Sequence, residues 1–396
     1  MFDTCTVRWW SALTQRGIAA QGAAGTVLVC VALGAAGCGG ASIGSAGGAP
    51  AAAAATSFAP EATPAYIALE GPCADATSEL SGLAWDGDAL VLLPQFPDRL
   101  SDPALFVIER REIADALAAP HPVEPRAVPL ELDGLVEAID GYEGFEAIAI
   151  DGDTVTLAIE VREAPTWMRG VLVHGVILRG ADGGMTGVQI DASTAIDLPA
   201  PAPIANKAYE AIVDVEGGTL ALFELTTPRF VEGPSGRWVA DAAFDHAPDA
   251  VTPIEVAPIV GRWTDATTID ADGRFFVVNY VWPGDAAIRD DAVDDALARA
   301  WGIGASHLTS DAIERVVELH FDGHRVTQVE RAPTWIALDA DEGPRNWEGI
   351  ARWSDDAVVL VTDRFPGTRL AVVPLVVGLG ELGAIDENAA PGADAP

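Results

Sequence analysis

One pattern of apolar and polar positions recurs five times along this chain. A polar residue precedes a small residue and alternating apolar positions; a turn rich in Asp and Gly follows, then a second apolar run ending on another polar residue. The copies are SGLAWDGDALVLLPQ from Ser81, EAIAIDGDTVTLAIE from Glu146, EAIVDVEGGTLALFE from Glu210, DATTIDADGRFFVVN from Asp265 and EGIARWSDDAVVLVTD from Glu348. Two apolar runs around an Asp/Gly turn predict a β-hairpin in each copy. In four copies the flanking polar residues lie fourteen positions apart: Ser81 and Gln95, Glu146 and Glu160, Glu210 and Glu224, Asp265 and Asn279. The fifth pair, Glu348 and Asp363, has one extra residue, which fits a looser turn.

The stretches between hairpins hold further strand-like runs, among them ALFVIER, GVLVHGVILRG and IERVVELHF. That makes about four strands per repeat and predicts an all-β fold, a β-propeller of about five four-stranded blades. Copy starts are separated by 65, 64, 55 and 83 residues, and the widest interval carries a helix-like insert around DDAVDDALARAW. Six blades follow instead if that interval hides a degenerate copy. The fifth copy runs out after TRLAVVPL, about three strands in, so the segment AYIALEGP before the first copy is expected to supply the missing strand. Closing the ring removes two sheet edges that otherwise invite aggregation. A β-sandwich with a second domain is the competing fold, but it does not predict a hairpin recurring at this spacing.

The ends of the chain read differently. Arg8 and Arg16 precede an apolar run from Gly17 to Gly37 that ends at Cys38. A charged region, an apolar stretch and small residues before a cut predict a signal peptide over residues 1–37. A Cys after small residues resembles the bacterial lipobox, so Cys38 is the expected lipidation site. The match departs at Ala35, where Leu is usual. Residues 38–57, rich in Gly, Ala and Ser, read as a flexible tether, 58–382 as the propeller domain and 383–396 as a disordered tail. The expected location is the bacterial cell envelope, lipid-anchored, or alternatively secreted. Of four cysteines, only Cys38 and Cys73 survive such a cut, so no disulfide framework or Cys/His zinc pattern is expected.

Charge narrows the partners. Against 23 bases stand 59 acids, a net −36. Such a surface repels nucleic acid and anionic membrane, leaving the lipid anchor as the expected membrane contact. It suits metal cations, or only solubility.

In a propeller the innermost strand of each blade lines the channel. The start of strand one and the end of strand two are antiparallel neighbours, so the repeat aims Ser81, Glu146, Glu210, Asp265 and Glu348, with Gln95, Glu160, Glu224, Asn279 and Asp363, at one channel mouth. Seven of the ten are carboxylates. Crowded acids must protonate, stay solvated or find cations. Ca²⁺, which takes six to eight oxygen ligands, is the expected cofactor, with Glu146, Glu160, Glu210, Glu224, Asp265, Asn279, Glu348 and Asp363 as candidate ligands. Three copies carry a base three residues before the first polar residue: Lys207, Arg262 and Arg345. These either pair with the acids or hold an anionic oxygen of a substrate. His174, inside an apolar strand, and Trp85, Trp263, Trp347 and Trp353, in or beside the hairpins, are expected to serve packing.

The segments NKAYEAIVD at 206–214 and RNWEGIARW at 345–353 resemble the motif of the bacterial phytase-like domain family, described as the esterase-like activity of phytase. In that family an Asn and a base precede an aromatic, then Glu, a small residue, an aliphatic and Ala. The resemblance implies a secreted or lipid-anchored propeller and hydrolysis of phosphate or carboxylic esters. It carries Lys207, Glu210, Arg345 and Glu348 over as site residues, with Glu210 or Glu348 as general base. The first two copies and Asp265 depart from the motif. Two readings therefore stand: a calcium-dependent ester or phosphoester hydrolase, or a non-catalytic surface propeller that binds a ligand or protein partner. A lactonase-like calcium propeller is a variant of the first.

Overall fold

The structure is a computed structural model that describes residues 58–376 apart from 76, 248–249, 286–287, 289–294, 340 and 342. The expected signal, the tether with Cys38, and the tail lie outside the described residues.

The hairpins form where the repeats place them, and each is extended by two further antiparallel strands. The first unit is Leu80–Asp86, Ala89–Pro94, Ala104–Glu109 and Arg126–Glu131. The second is Tyr142–Asp151, Thr154–Ala164, Trp167–Arg179 and Met185–Ile190. Tyr209–Val215, Gly218–Phe223, Gly236–Ala240 and Val251–Val256 make the third. Arg262–Ala266, Arg274–Val281, Ile313–Phe321 and Arg325–Gln328 make the fourth. The fifth takes Trp347–Ser354, Ala357–Thr362 and Leu370–Pro374 from the end of the domain and Ala65–Ile67 from its start. The first strand of each unit packs on that of the next, and the fifth returns to the first. The ring is closed, and the chain is a β-propeller.

The hydrophobic pattern explains the packing. Both faces of each sheet are covered by neighbouring units, so inner strands read as nearly continuous apolar runs. The core is accordingly five layers between units. Examples are Val91 and Leu93 against Ile148 and Leu157 between the first and second, and Phe276 and Val278 against Ile350 and Leu360 between the fourth and fifth. The small residue that follows each bulge, such as Gly82, lets inner strands approach. A Cβ on Gly82 would sit 3.2 Å from the Ala147 Cα and the Ile148 nitrogen. Cys73 is buried in the layer joining the fifth and first units, where burial pushes its thiol up to about 12. Trp85 and Trp353 pack together at 6.0 Å beneath Arg110, and Trp263 and Trp347 are fully buried. His174 stacks on Phe244 rather than facing the channel cluster.

The N-terminal segment is sewn into the ring at three places. Phe58–Ala59 pairs in parallel with Ile303–Gly304, Glu61–Ala62 with Trp335–Ile336, and Ala65–Ile67 closes the fifth unit. Glu61 Oε1 accepts from the Ser306 nitrogen and hydroxyl at 2.9 and 2.6 Å, locking this strap to the fourth unit. Of the expected insert, the described part is a short helix, Ala296–Trp301, whose N-cap Asp295 accepts from the Leu297 and Ala298 nitrogens.

The strap makes closure testable. A chain starting at Ala68 leaves the edge Leu370–Pro374 unpaired and bares part of the apolar layer beneath it. It should melt lower by roughly 5 °C or more and form soluble aggregates, read by circular dichroism and size exclusion.

Candidate functional site

Each inner strand carries one extra residue at the same point. The register shifts fall between Leu80 and Gly82, Phe145 and Ala147, Tyr209 and Ala211, Trp263 and Ala266, and Trp347 and Gly349. Ser81, Glu146, Glu210, Asp265 and Glu348 all lie inside these steps. A bulge leaves one residue unpaired and re-aims its side chain. The repeated polar residue therefore lies in the bulge of every unit, accompanied by Thr264 in the fourth. The fifth copy's extra residue is a second register shift, between Arg352 and Ser354.

The second and third units and the fifth bring their acids together. Arg262 stands between two of them: its Nε donates to Glu224 Oε2 at 2.6 Å, and Nη2 donates to both Glu210 oxygens at 2.8 and 3.0 Å. Lys207 Nζ lies 3.2 Å from Glu224 Oε2, and the Ala208 nitrogen donates to Glu224 Oε1 at 3.0 Å. Asn346 Nδ2 donates to Glu348 Oε1 and, at 2.9 Å, to Asp363 Oδ2. Gln95 donates to Glu146 Oε1 at 3.0 Å. Glu160 is 4% exposed and its Oε1 has no hydrogen-bond partner. Ser81 instead donates to the Phe145 carbonyl at 2.7 Å and ties two inner strands.

Three expected site residues are spent elsewhere. Asp265 is fully buried, and its oxygens accept from the Leu83, Ala266 and Ile350 nitrogens at 3.2, 2.8 and 2.9 Å. It staples the inner strands of the first, fourth and fifth units, which leaves it a structural tie rather than a cation ligand. Asn279 gives its Oδ1 to Arg315 Nε at 2.7 Å and its Nδ2 to the Val260 and Arg262 carbonyls. Arg345 does not reach the acids of the mouth as an anion holder. Its guanidinium is committed to Glu314, the Tyr66 hydroxyl and the Ala337 carbonyl, at 1% exposure. Glu314 and Arg315, which sequence reasoning took for ordinary strand residues, are the partners responsible; adjacent opposite charges opening the apolar run IERVVELHF were the available signal.

The cluster thus holds six carboxyl groups (Glu146, Glu160, Glu210, Glu224, Glu348, Asp363) against two bases, and they do not share one state. Burial alone would raise Glu224, but Lys207, Arg262 and its hydrogen bonds outweigh this and hold it below the usual range. Glu210 shares Arg262 and feels Lys207 more weakly. Burial lifts it well above the usual range, so protonated it can donate to Glu224. Burial also lifts Glu146, with Glu160 adding repulsion. Glu160 and Glu348 are pushed up to about 7, each chiefly by burial. Burial raises Asp363 as well. Among the described residues, no group of three or more His, Cys, Asp or Glu side chains is disposed to hold a metal ion.

The raised Glu160 gives a signed prediction. A carboxyl whose folded pKa exceeds its unfolded value contributes stability that is fully present below the unfolded value and lost as pH rises through the folded one. The window here runs from about 4.5 to about 7. Glu160→Gln should match the parent below about pH 4.5 and exceed it at pH 8, by on the order of 3 kcal/mol, in paired thermal melts across pH. A constant difference at all pH values would refute the assignment.

No protein-family model matches this sequence, and a search of curated proteins returns no match. Among solved structures, the chain is similar to the GH43 endo-arabinanase from Bacillus licheniformis at 11% identity and TM-score 0.41, over 77% of this chain and 95% of that one. It is similar to the native arabinanase of Bacillus subtilis at 9% identity and TM-score 0.39, over 75% and 94%. A glucose dehydrogenase matches at 10% identity and TM-score 0.37, over 76% and 98%. The propeller assignment rests on this chain's own strand pairing.

Proposed function

We propose that this protein is an exported propeller that hydrolyses small neutral carboxylic esters at the acidic end of its channel. The observation that carries this reading is the divergence of protonation behaviour within one cluster: Lys207 and Arg262 hold Glu224 below the usual range, while burial lifts Glu348 to about 7 and Glu210 well above the usual range. Neighbouring carboxyls pushed apart in pKa are the arrangement that acid–base chemistry near neutral pH requires.

Glu348 and Asp363 are the partly exposed members of the set, and Glu348 is assigned the role of meeting the attacking water. As carboxylate it takes a proton from that water while the oxygen adds to the ester carbonyl carbon. The proton passes to the leaving alkoxide as the carbon–oxygen bond breaks, yielding one acid and one alcohol. Lys207 Nζ has three N–H donors and spends two, on the Asn206 carbonyl and Glu224. The third is available to the developing oxyanion. Arg262 keeps Glu224 charged and is not free to meet an anion.

This arrangement favours a neutral ester over a phosphoester, because both bases are already paired with Glu224 and Glu210 and the carboxyls outnumber them, so each further carboxyl that ionises adds negative charge that repels an anionic substrate. Glu160 Oε1, unpartnered and close enough to Glu146 and Glu224 to feel their charge, supports a second reading. A calcium ion held through Glu160 and Glu146 would neutralise part of that excess and admit a phosphate ester. Bound there, the ion would supply Lewis acidity toward a phosphoryl oxygen. The phytase-like resemblance, the acidic surface and the export signal fit both readings, as they fit a binding propeller without catalysis.

An ester panel decides. Glu348→Gln should lower kcat/KM on 4-nitrophenyl acetate by roughly 100-fold or more while leaving the melting temperature within a few degrees. The parent rate should rise with pH through about 7 as Glu348 ionises. Unchanged turnover in Glu348→Gln would end the hydrolase reading. A melting temperature raised by calcium, with phosphoester turnover lost in EDTA, would favour the second.

A further inference from the structure

Two large aromatic side chains are exposed beside the acid cluster. Trp282 is 40% exposed and Phe365 48%, and their ring centroids lie 6.4 Å apart at 46°. Both are anchored to the site. The Phe365 nitrogen donates to Asp363 Oδ1 at 2.7 Å, and its carbonyl accepts from the Asn346 nitrogen at 3.1 Å. Asp363 and Asn346 are members of the site, so Phe365 is one hydrogen bond from the Glu348 network. Trp282 follows Tyr280 by two residues, and the Tyr280 hydroxyl feels Arg262, Glu348 and Asp363. Trp282 lies just past the end of that strand at Val281, and its ring contact with Phe365 places it at the same opening.

Neither ring is loose. The turn holding Trp282 is closed by the Asp285 nitrogen donating to the Trp282 carbonyl at 3.0 Å. The indole lies over Gly284, where a Cβ would come within 2.8 Å of its Nε1. The Phe365 ring lies 5.2 Å from the Arg364 guanidinium, which pairs with Glu79 on the first unit. Large aromatic surface left in water and held in place at a mouth is unfavourable for folding alone and suits stacking against a ligand ring.

We infer that Trp282 and Phe365 form a ring-binding rim, so that the substrate of this mouth is an aryl ester. The inference rests on the hydrolase reading for the word ester, and on the rim alone for the word aryl. The acidic cluster selects a neutral or cationic ring over an anionic one, and the two aromatic faces select a flat ring over an aliphatic chain.

The test separates the two. Wild type, Glu348→Gln and the double variant Trp282→Ala/Phe365→Ala are titrated by calorimetry with acetanilide, an amide isostere of phenyl acetate. KM is then measured for phenyl acetate and methyl acetate. Wild type and Glu348→Gln should bind acetanilide alike. The double variant should bind it roughly threefold to tenfold more weakly, with KM rising by the same factor for phenyl acetate and unchanged for methyl acetate. Acetanilide binding that survives in a folded double variant, or equal KM changes for both esters, would overturn the rim. Acetanilide binding without turnover of either ester would retain the rim and remove the hydrolase reading.

Discussion

One residue too many in the inner strand of every unit is the constraint from which the acidic site follows. A ladder without that insertion would leave each polar residue within its sheet, against the apolar layer between units. With the bulge, the side chain leaves the ladder at the channel end, five times around a closed ring. The following small residue completes the device by allowing inner strands to approach at Gly82 and Gly349.

Convergence then creates an electrostatic problem that the units solve differently. The third and fourth solve it with bases, Lys207 and Arg262, which hold Glu224 ionised and share Glu210. The fifth uses an amide, Asn346, between Glu348 and Asp363. The second has only Gln95 for Glu146 and nothing for one Glu160 oxygen, so protons or cations must supply what side chains do not. Asp265 accepts from three backbone donors, which makes it a cross-link between strands of three units, although burial still lifts it well above the usual range. Five apolar layers surround the channel, and that core sustains so many buried acids.

The architecture was legible because a hairpin bounded by polar residues is a local signal, repeated at intervals only a ring explains. The strand drawn from before the first copy, Ala65–Ile67, was legible from the fifth copy running short. The acid pairs Glu210–Glu224 and Glu146–Glu160 were legible as charges interrupting apolar runs. Asp265, Asn279 and Arg345 have the same residue types at the same spacing, yet their fate depends on partners far off in sequence. Leu83 lies 182 residues from Asp265, and Ile350 lies 85. The decisive partners Glu314 and Arg315 belong to a third strand whose pairing no local pattern specifies. The bulge itself was invisible, because counting residues between acids does not reveal which are paired.

The central claim is that bulged acids from several units share one buried space and therefore cannot all be ionised at neutral pH. Titrating the glutamate side-chain carboxyls by carbon-13 NMR, with Glu146, Glu160, Glu210, Glu224 and Glu348 assigned by single substitution, tests it most directly. The account predicts Glu224 ionised below the usual range, Glu160 and Glu348 changing near 7, and Glu146 and Glu210 changing well above the usual range. All five changing together near 4.5 would mean that the carboxyls face water separately, and would contradict it.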